Sequence, residues 1–199
     1  TAGGSVTLVE GQTFCRSSRS GDIDPSLPEG LFVLDRRVLS RWQLRVGDCE
    51  PESLAVSAED PYRATFASRV HPPAGKADAE IVVLRRREVD RGMRERIHVQ
   101  NFGLEPATLQ VELALDADFA DLFEVKEGRV VPRGSWSHEL SAERIVLGHH
   151  DQDTTREVTV AWSRPAEVEP LVATWRVTLD PRESWEVDIS VTVAVDGRA

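Results

Sequence analysis

Side chains able to do chemistry concentrate in a few short runs of this sequence. Between Gly30 and Trp42, the charged trio Asp35, Arg36 and Arg37 stands between apolar stretches. A guanidinium can hold a carboxylate, or neighbouring sugar hydroxyls, through two parallel hydrogen bonds, and an aspartate accepts from sugar hydroxyls. The trio therefore reads either as a substrate-facing loop or as an ion pair from Asp35 to an arginine that pins a strand end. A second run, Asp116 to Glu127, places Asp116, Asp118 and Glu127 at the first, third and twelfth positions of a calcium-binding loop. Ala120 stands where an oxygen ligand is needed and Asp121 where the sharp turn needs glycine, and the residues before it alternate as a strand does. No metal is expected there; a capped turn with Phe119 and Phe123 buried is. His149 and His150 are adjacent, and neighbouring strand residues point to opposite faces, so a solvated polar loop is expected rather than a metal site. No serine has the setting of a nucleophile elbow and no glycine-rich loop could cradle a phosphate, so no catalytic residue and no cofactor is expected.

The elements that would position these groups alternate with period two. Trp185, Val187, Ile189, Val191, Val193 and Val195 interleave with Glu186, Asp188, Ser190 and Thr192, the pattern of a strand with one buried face. The same alternation recurs over Leu109–Leu115, Val158–Trp162 and Leu171–Leu179, and in shorter form over Thr7–Val9, Trp42–Val46, Ile81–Leu84 and Ile97–Val99. Gly47-Asp48, Gly103 to Pro106, Pro132 to Gly134, Arg164 to Pro170 and Asp180-Pro181 supply turn chemistry between them. Phe119, Leu122 and Phe123 are spaced by three and four, which predicts one or two helical turns over Asp118–Phe123. Glu50 to Lys76, with Pro51, Pro61, Pro72 and Pro73, reads as an irregular loop. The fold class that follows is all-β: an antiparallel two-sheet β-sandwich, supersandwich-like, forming one domain over residues 1–199. Trp42, Trp162, Trp175 and Trp185 fall in register with the apolar faces of their strands, which makes them core. Trp136, between Gly134 and His138, is not placed by any strand pattern, and it is the candidate for stacking on a sugar ring.

Composition narrows the function. With 34 acidic against 24 basic residues and a net charge of -10, the chain would repel polyphosphates and anionic lipid surfaces, which disfavours nucleic-acid and membrane partners. No stretch approaches the ~20 apolar residues of a membrane span and no signal-peptide pattern is present, so a soluble, cytoplasmic protein is expected. Cys15 and Cys49 have neither metal-binding spacing nor disulfide-scaffold density, and two buried free thiols are expected. A first residue that is not methionine and a last strand close to the end read as a fragment of a longer protein.

Gly11-Gln12-Thr13-Phe14, Gly21-Asp22-Ile23, Gly30-Leu31-Phe32, Asp35-Arg36-Arg37-Val38-Leu39-Ser40 and Asp118 to Val125 occur in that order, with Arg87-Glu88, Glu95-Arg96 and Asn101-Phe102 between them. Together they resemble the N-terminal domain of bacterial glycogen debranching enzymes of the amylo-α-1,6-glucosidase type. The chain departs from that pattern at Arg36, where a threonine is usual, and at Lys126-Glu127, where Arg-Gly is favoured. The resemblance implies a β-sandwich that precedes a large α/α-barrel carrying the catalytic carboxylates. It implies a parent glycosidase acting on α-glucans, a contact between this domain and the barrel, and a loop lent to the rim of the active site. Asp35, Arg36 and Arg37 are the candidates for that loop. A stand-alone carbohydrate-binding module using Trp136 and a protein-interaction domain are the alternatives.

Overall fold

The computed structural model describes residues 4–70 and 80–196. In chain order the elements are β1 (Val6–Glu10), β2 (Thr13–Ser17), β3 (Gly30–Val33), β4 (Arg36–Leu39), β5 (Arg41–Val46), β6 (Glu52–Asp60), β7 (Arg63–Val70), β8 (Ile81–Val89) and β9 (Met93–Asn101). They continue with β10 (Ala107–Asp116), the short helix α1 (Leu122–Lys126), β11 (Ser135–Ser141), β12 (Arg144–Asp151), β13 (Thr154–Trp162), β14 (Glu167–Glu169), β15 (Val172–Leu179) and β16 (Ser184–Val195).

These strands form three antiparallel sheets: β1-β2-β3-β4, β14-β15-β10-β5, and the eight-stranded β11-β12-β13-β16-β9-β8-β7-β6. The small sheets contribute Leu8, Cys15, Leu31, Trp42, Leu113 and Trp175 to one hydrophobic core, and the large sheet closes it with Phe66, Val83, Ile97, Val160 and Val187. Period-two sequence explains this directly, because each strand buries one face and shows the other to solvent. β16 displays it as far as Val191, with Val187, Ile189 and Val191 buried between exposed or half-buried polar neighbours, and loses it at the end of the strand, where Val195 is exposed. Trp42, Trp162 and Trp175 are core residues and Trp185 is half-buried against Trp175, with ring centroids 5.9 Å apart. The sandwich expected from the sequence is the fold observed.

Three local expectations are corrected. The span read as a loop from Glu50 is, as far as Val70, mostly a paired hairpin of β6 and β7, while the rest of it, residues 71–76 with Pro72 and Pro73, lies outside the described residues. β6 is exposed along nearly all its length and is interrupted by register shifts at Ser53/Ala55 and Ala58/Asp60, so it lacks an apolar face to announce it. β7 buries Ala64, Phe66, Ser68 and Val70, a core face partly made of small residues that hydrophobic periodicity undercounts. The helix begins at Leu122, four residues later than the spacing predicted. Its N-cap is Asp121, whose carboxylate accepts from Phe123 N while Glu124 reaches back to Asp121 N. Consequently Phe119 is buried but Phe123, on the outer side of α1, is 68% exposed. Cys15 is buried and Cys49 exposed, so the thiols are free but only one is in the core.

Candidate functional site

The turn between β3 and β4 is two residues long, since Val33 pairs with Arg36. Leu34 and Asp35 adopt φ 49° and 61°, positive at both central positions as the type I′ hairpin turn requires. Neither is glycine or asparagine, and a bulky residue in this region costs about 1–2 kcal/mol. Leu34 is also 59% exposed. The turn is held from behind, where Leu122 N donates to Asp35 O at 3.0 Å and Arg37 N donates to Ala120 O at 2.9 Å. The Ala120–Leu122 segment thus runs along β4 and ties the turn to α1.

Because strand residues alternate, Arg36 and Arg37 leave β4 on opposite faces. Arg37 turns inward and is buried. Its Nε lies 3.1 Å from both carboxylate oxygens of Asp118, its Nη2 donates to Asp118, and its Nη1 donates to Glu29 O at 3.2 Å and Leu27 O at 3.4 Å. Gly30 makes room for it, since a Cβ there would lie 2.6 Å from Arg37 Cδ. Glu29 is buried beside this pair, and burial pushes its carboxyl up while the hydrogen bond from Asp24 N works against that. The ion pair expected from Asp35 therefore has a different acid: Asp118 pairs with Arg37, and Asp35 sits exposed at the turn. Asp116 and Asp118 also accept from Ala117 N and Ala120 N, so these carboxylates organise backbone rather than face one another around an ion. Among the described residues no group of three or more His, Cys, Asp or Glu side chains could hold a metal. A cleft of about 640 Å³ opens over Arg37, Ser40, Asp116 and Asp118, with Pro25–Pro28 on one wall and residues of and after α1 on the other.

Asp118 faces Arg37, and the next residue leads to Trp136. Phe119, at φ 47°, stacks on Trp136 at 5.9 Å between centroids and on His149 at 5.8 Å. Trp136 on β11 pairs in register with His149 on β12, their rings 4.6 Å apart, and remains 39% exposed. His149 is thus not in a solvated loop but buried on a strand, with Nε2 2.6 Å from Arg133 O, which fixes Nε2 as the protonated nitrogen. His150 points the other way and meets Thr155. Of the residues singled out in the sequence, Arg37 and Trp136 are joined through consecutive residues of one segment. Asp35 and Arg36 lie on the turn above it, and Trp136 does not border the Arg37 cleft.

Sequence reasoning missed a deeper polar constellation. Arg85 and Arg87 occupy core-facing positions of β8, and Glu95 does so on β9, paired directly with Arg87. All three are buried. Glu95 Oε1 accepts from Arg85 Nε at 2.8 Å and Trp42 Nε1 at 3.1 Å, and Oε2 from Arg87 Nε at 2.6 Å. Burial alone would push the Glu95 carboxyl up, but the two guanidiniums and the bonds from Trp42 and Arg85 outweigh it and hold it below the usual range. Outward, Arg85 Nη1 donates to Asp22 at 2.5 Å and Arg87 Nη2 to Gly21 O at 2.5 Å. The network therefore clamps the Ser18–Ile23 loop onto the large sheet, with Arg87 lying 5.2 Å over the Phe66 ring. Charges in phase with Ile81, Val83 and Val89 were the signal available in the sequence.

Residues 8–190 match the model of the N-terminal domain of some glycogen debranching enzymes. The chain belongs to this family. No curated protein sequence matches it significantly. Among solved structures it is similar to a putative aldose 1-epimerase from Escherichia coli K12, with TM-score 0.58 and 9% identity over 96% of this chain and 99% of that one. It is likewise similar to a galactose mutarotase-like protein from Lactobacillus casei, with TM-score 0.57 and 9% identity over 96% and 100%. A putative kojibiose phosphorylase from human microbiome matches with TM-score 0.54 and 11% identity, over 88% of this chain. The chain spans about a quarter (24%) of that phosphorylase. At such identities these likenesses establish the shared fold of this family member and nothing about its chemistry.

Proposed function

We propose that this chain is a non-catalytic domain of a glycogen-debranching-type glycosidase acting on α-glucans. In this reading it packs on a catalytic α/α-barrel and lends the β3–β4 turn to the rim of the active site. The observation that carries the reading is the run of apolar side chains left in solvent beside the ordered polar cleft. Leu34, Phe123, Val131 and Trp136 are 59%, 68%, 55% and 39% exposed. Hydrogen bonds from the β3–β4 turn to α1, the Phe119–Trp136 stack, and the Arg133–Glu124 ion pair at 3.1 Å link the segments that bear them. Exposed apolar patches of this kind mark interaction surfaces, and strained turns persist where function holds them. Membership of the debranching-enzyme family supports α-glucan processing as the setting.

Hydrolysis of branched glucan by the enzyme that contains this domain is the test, with Asp35→Ala and Leu34→Ser as variants. Reduced turnover with unchanged unfolding temperature is expected; activity equal to wild type in both variants would sink the rim role. A second reading, direct glucan binding, is favoured by the exposed indole of Trp136 on its aromatic stack. Calorimetric titration with maltoheptaose discriminates the two: heat abolished by Trp136→Ala supports the binding module, and no heat leaves glucan recognition to the catalytic domain.

A further inference from the structure

The solvent face of the eight-stranded sheet carries a second polar site, unrelated to the surface invoked above. A cleft of about 820 Å³ is bordered by Glu59 on β6 and by Ala161–Ser163 at the far end of β13. In the sheet order β13-β16-β9-β8-β7-β6 those two strands are five steps apart, about 24 Å at the usual strand spacing. A single cleft touching both means that this face is concave. Arginines crowd the middle of its floor among an equal number of carboxylates: Arg86 on β8 stands directly opposite Arg96 on β9, with Arg63 and Arg94 diagonally beside it. Like charges directly opposite one another across two strands are unfavourable.

Arg63, Arg94 and Arg96 are each matched by an acid, namely Glu88 at 3.6 Å, Asp90 at 3.2 Å and Asp188 at 2.7 Å. Arg86 has no acidic partner among the described residues, although the chain as a whole carries a net charge of -10. With Arg96 already paired to Asp188, the charge left without a counter-ion is that of Arg86, and an anion beside it, within reach of Arg96, would supply one and use guanidinium donors suited to phosphate. Around it stand acceptors, the carboxylates of Glu59, Glu88 and Asp188 and the hydroxyl of Ser190. Carboxylates would repel a bare phosphate but accept from hydroxyls. We propose that this concave face binds a phosphorylated monosaccharide, its phosphate held by Arg86 and Arg96 and its hydroxyls donating to the surrounding carboxylates.

Calorimetric titration with glucose 6-phosphate, glucose and inorganic phosphate separately tests this. Glucose 6-phosphate should bind more tightly than either fragment, and Arg86→Gln should weaken it by at least about tenfold, the worth of one charge-assisted hydrogen bond. Because Arg86 is exposed, that variant keeps the fold, which its unfolding temperature checks. Three results would each overturn the proposal: no binding of glucose 6-phosphate, equal binding by Arg86→Gln, or glucose binding as tightly as its phosphate ester. The outcome is independent of the glycosidase reading, which stands or falls on branched glucan.

Discussion

Replacing Glu95 with glutamine keeps the shape of the side chain and removes the charge that two buried guanidiniums share. The native carboxylate accepts from Arg85, Arg87 and Trp42 at 2.8, 2.6 and 3.1 Å. A glutamine offers one oxygen, and its amide NH₂ would face a guanidinium that also only donates. Arg87, which is fully buried, loses the carboxylate it pairs with. Removing one partner of a buried ion pair costs about 3–5 kcal/mol, a large share of the roughly 5–15 kcal/mol that holds a domain folded. At about 2–4 °C per kcal/mol for a chain of this length, the unfolding midpoint should fall by roughly 6–20 °C. Urea and thermal unfolding followed by tryptophan fluorescence would measure it, with Trp42 as a local reporter. The substitution also predicts a change with pH. The folded-state carboxyl titrates below its usual range, so as pH falls from about 4.3 the unfolded chain binds the proton first. The stabilisation from Glu95 is therefore complete above that pH and is lost between it and the lower folded-state value. Glu95→Gln should flatten the acid limb of the stability curve in that window. A loss below about 1 kcal/mol would show that the network contributes little that its neighbours cannot replace.

Other consequences follow from the site geometry. Arg37→Ala leaves Asp118, itself 23% exposed, without its cation and should cost about 2–3 kcal/mol, read as a shift of the urea midpoint; Arg37→Lys should recover only part, because one ammonium cannot bridge Asp118, Glu29 O and Leu27 O. Gly30→Ala would put a Cβ 2.6 Å from Arg37 Cδ and 2.9 Å from Leu39 O, and should lose about 2 kcal/mol or more in the same assay. Leu34→Asn replaces an exposed leucine at φ 49° with a residue that tolerates this conformation, and should gain up to about 1 kcal/mol. If Leu34 docks on a catalytic domain, the same variant should lower activity of the whole enzyme while its domain becomes more stable.

Much of the fold was legible because burial on one face of a strand writes itself as alternation. β10, β15 and β16 could be read from that pattern, and so could the core role of Trp42, Trp162 and Trp175. β6 could not, because an edge strand exposed on both faces has no apolar register to display. α1 was displaced because Asp121, not Asp118, carries the capping box, and the cap rather than the spacing of phenylalanines decides where a short helix starts. Trp136 could not be placed from strand patterning, because its stack on Phe119 and His149 depends on a positive-φ residue that no pattern signals.

The sequence by itself determined the class of fold, the strands with one apolar face, the net negative charge, and membership of the debranching-enzyme domain family. Tertiary structure alone decided the partners of the charges. Asp118 rather than Asp35 meets Arg37, although 81 residues separate them, and Glu95 meets Arg85 and Arg87 by cross-strand register that also brings in Asp22 from a distant loop. Periodicity is a local property set by burial, whereas an ion pair is set by where two chain segments come to lie, and only the packed sheets fix that.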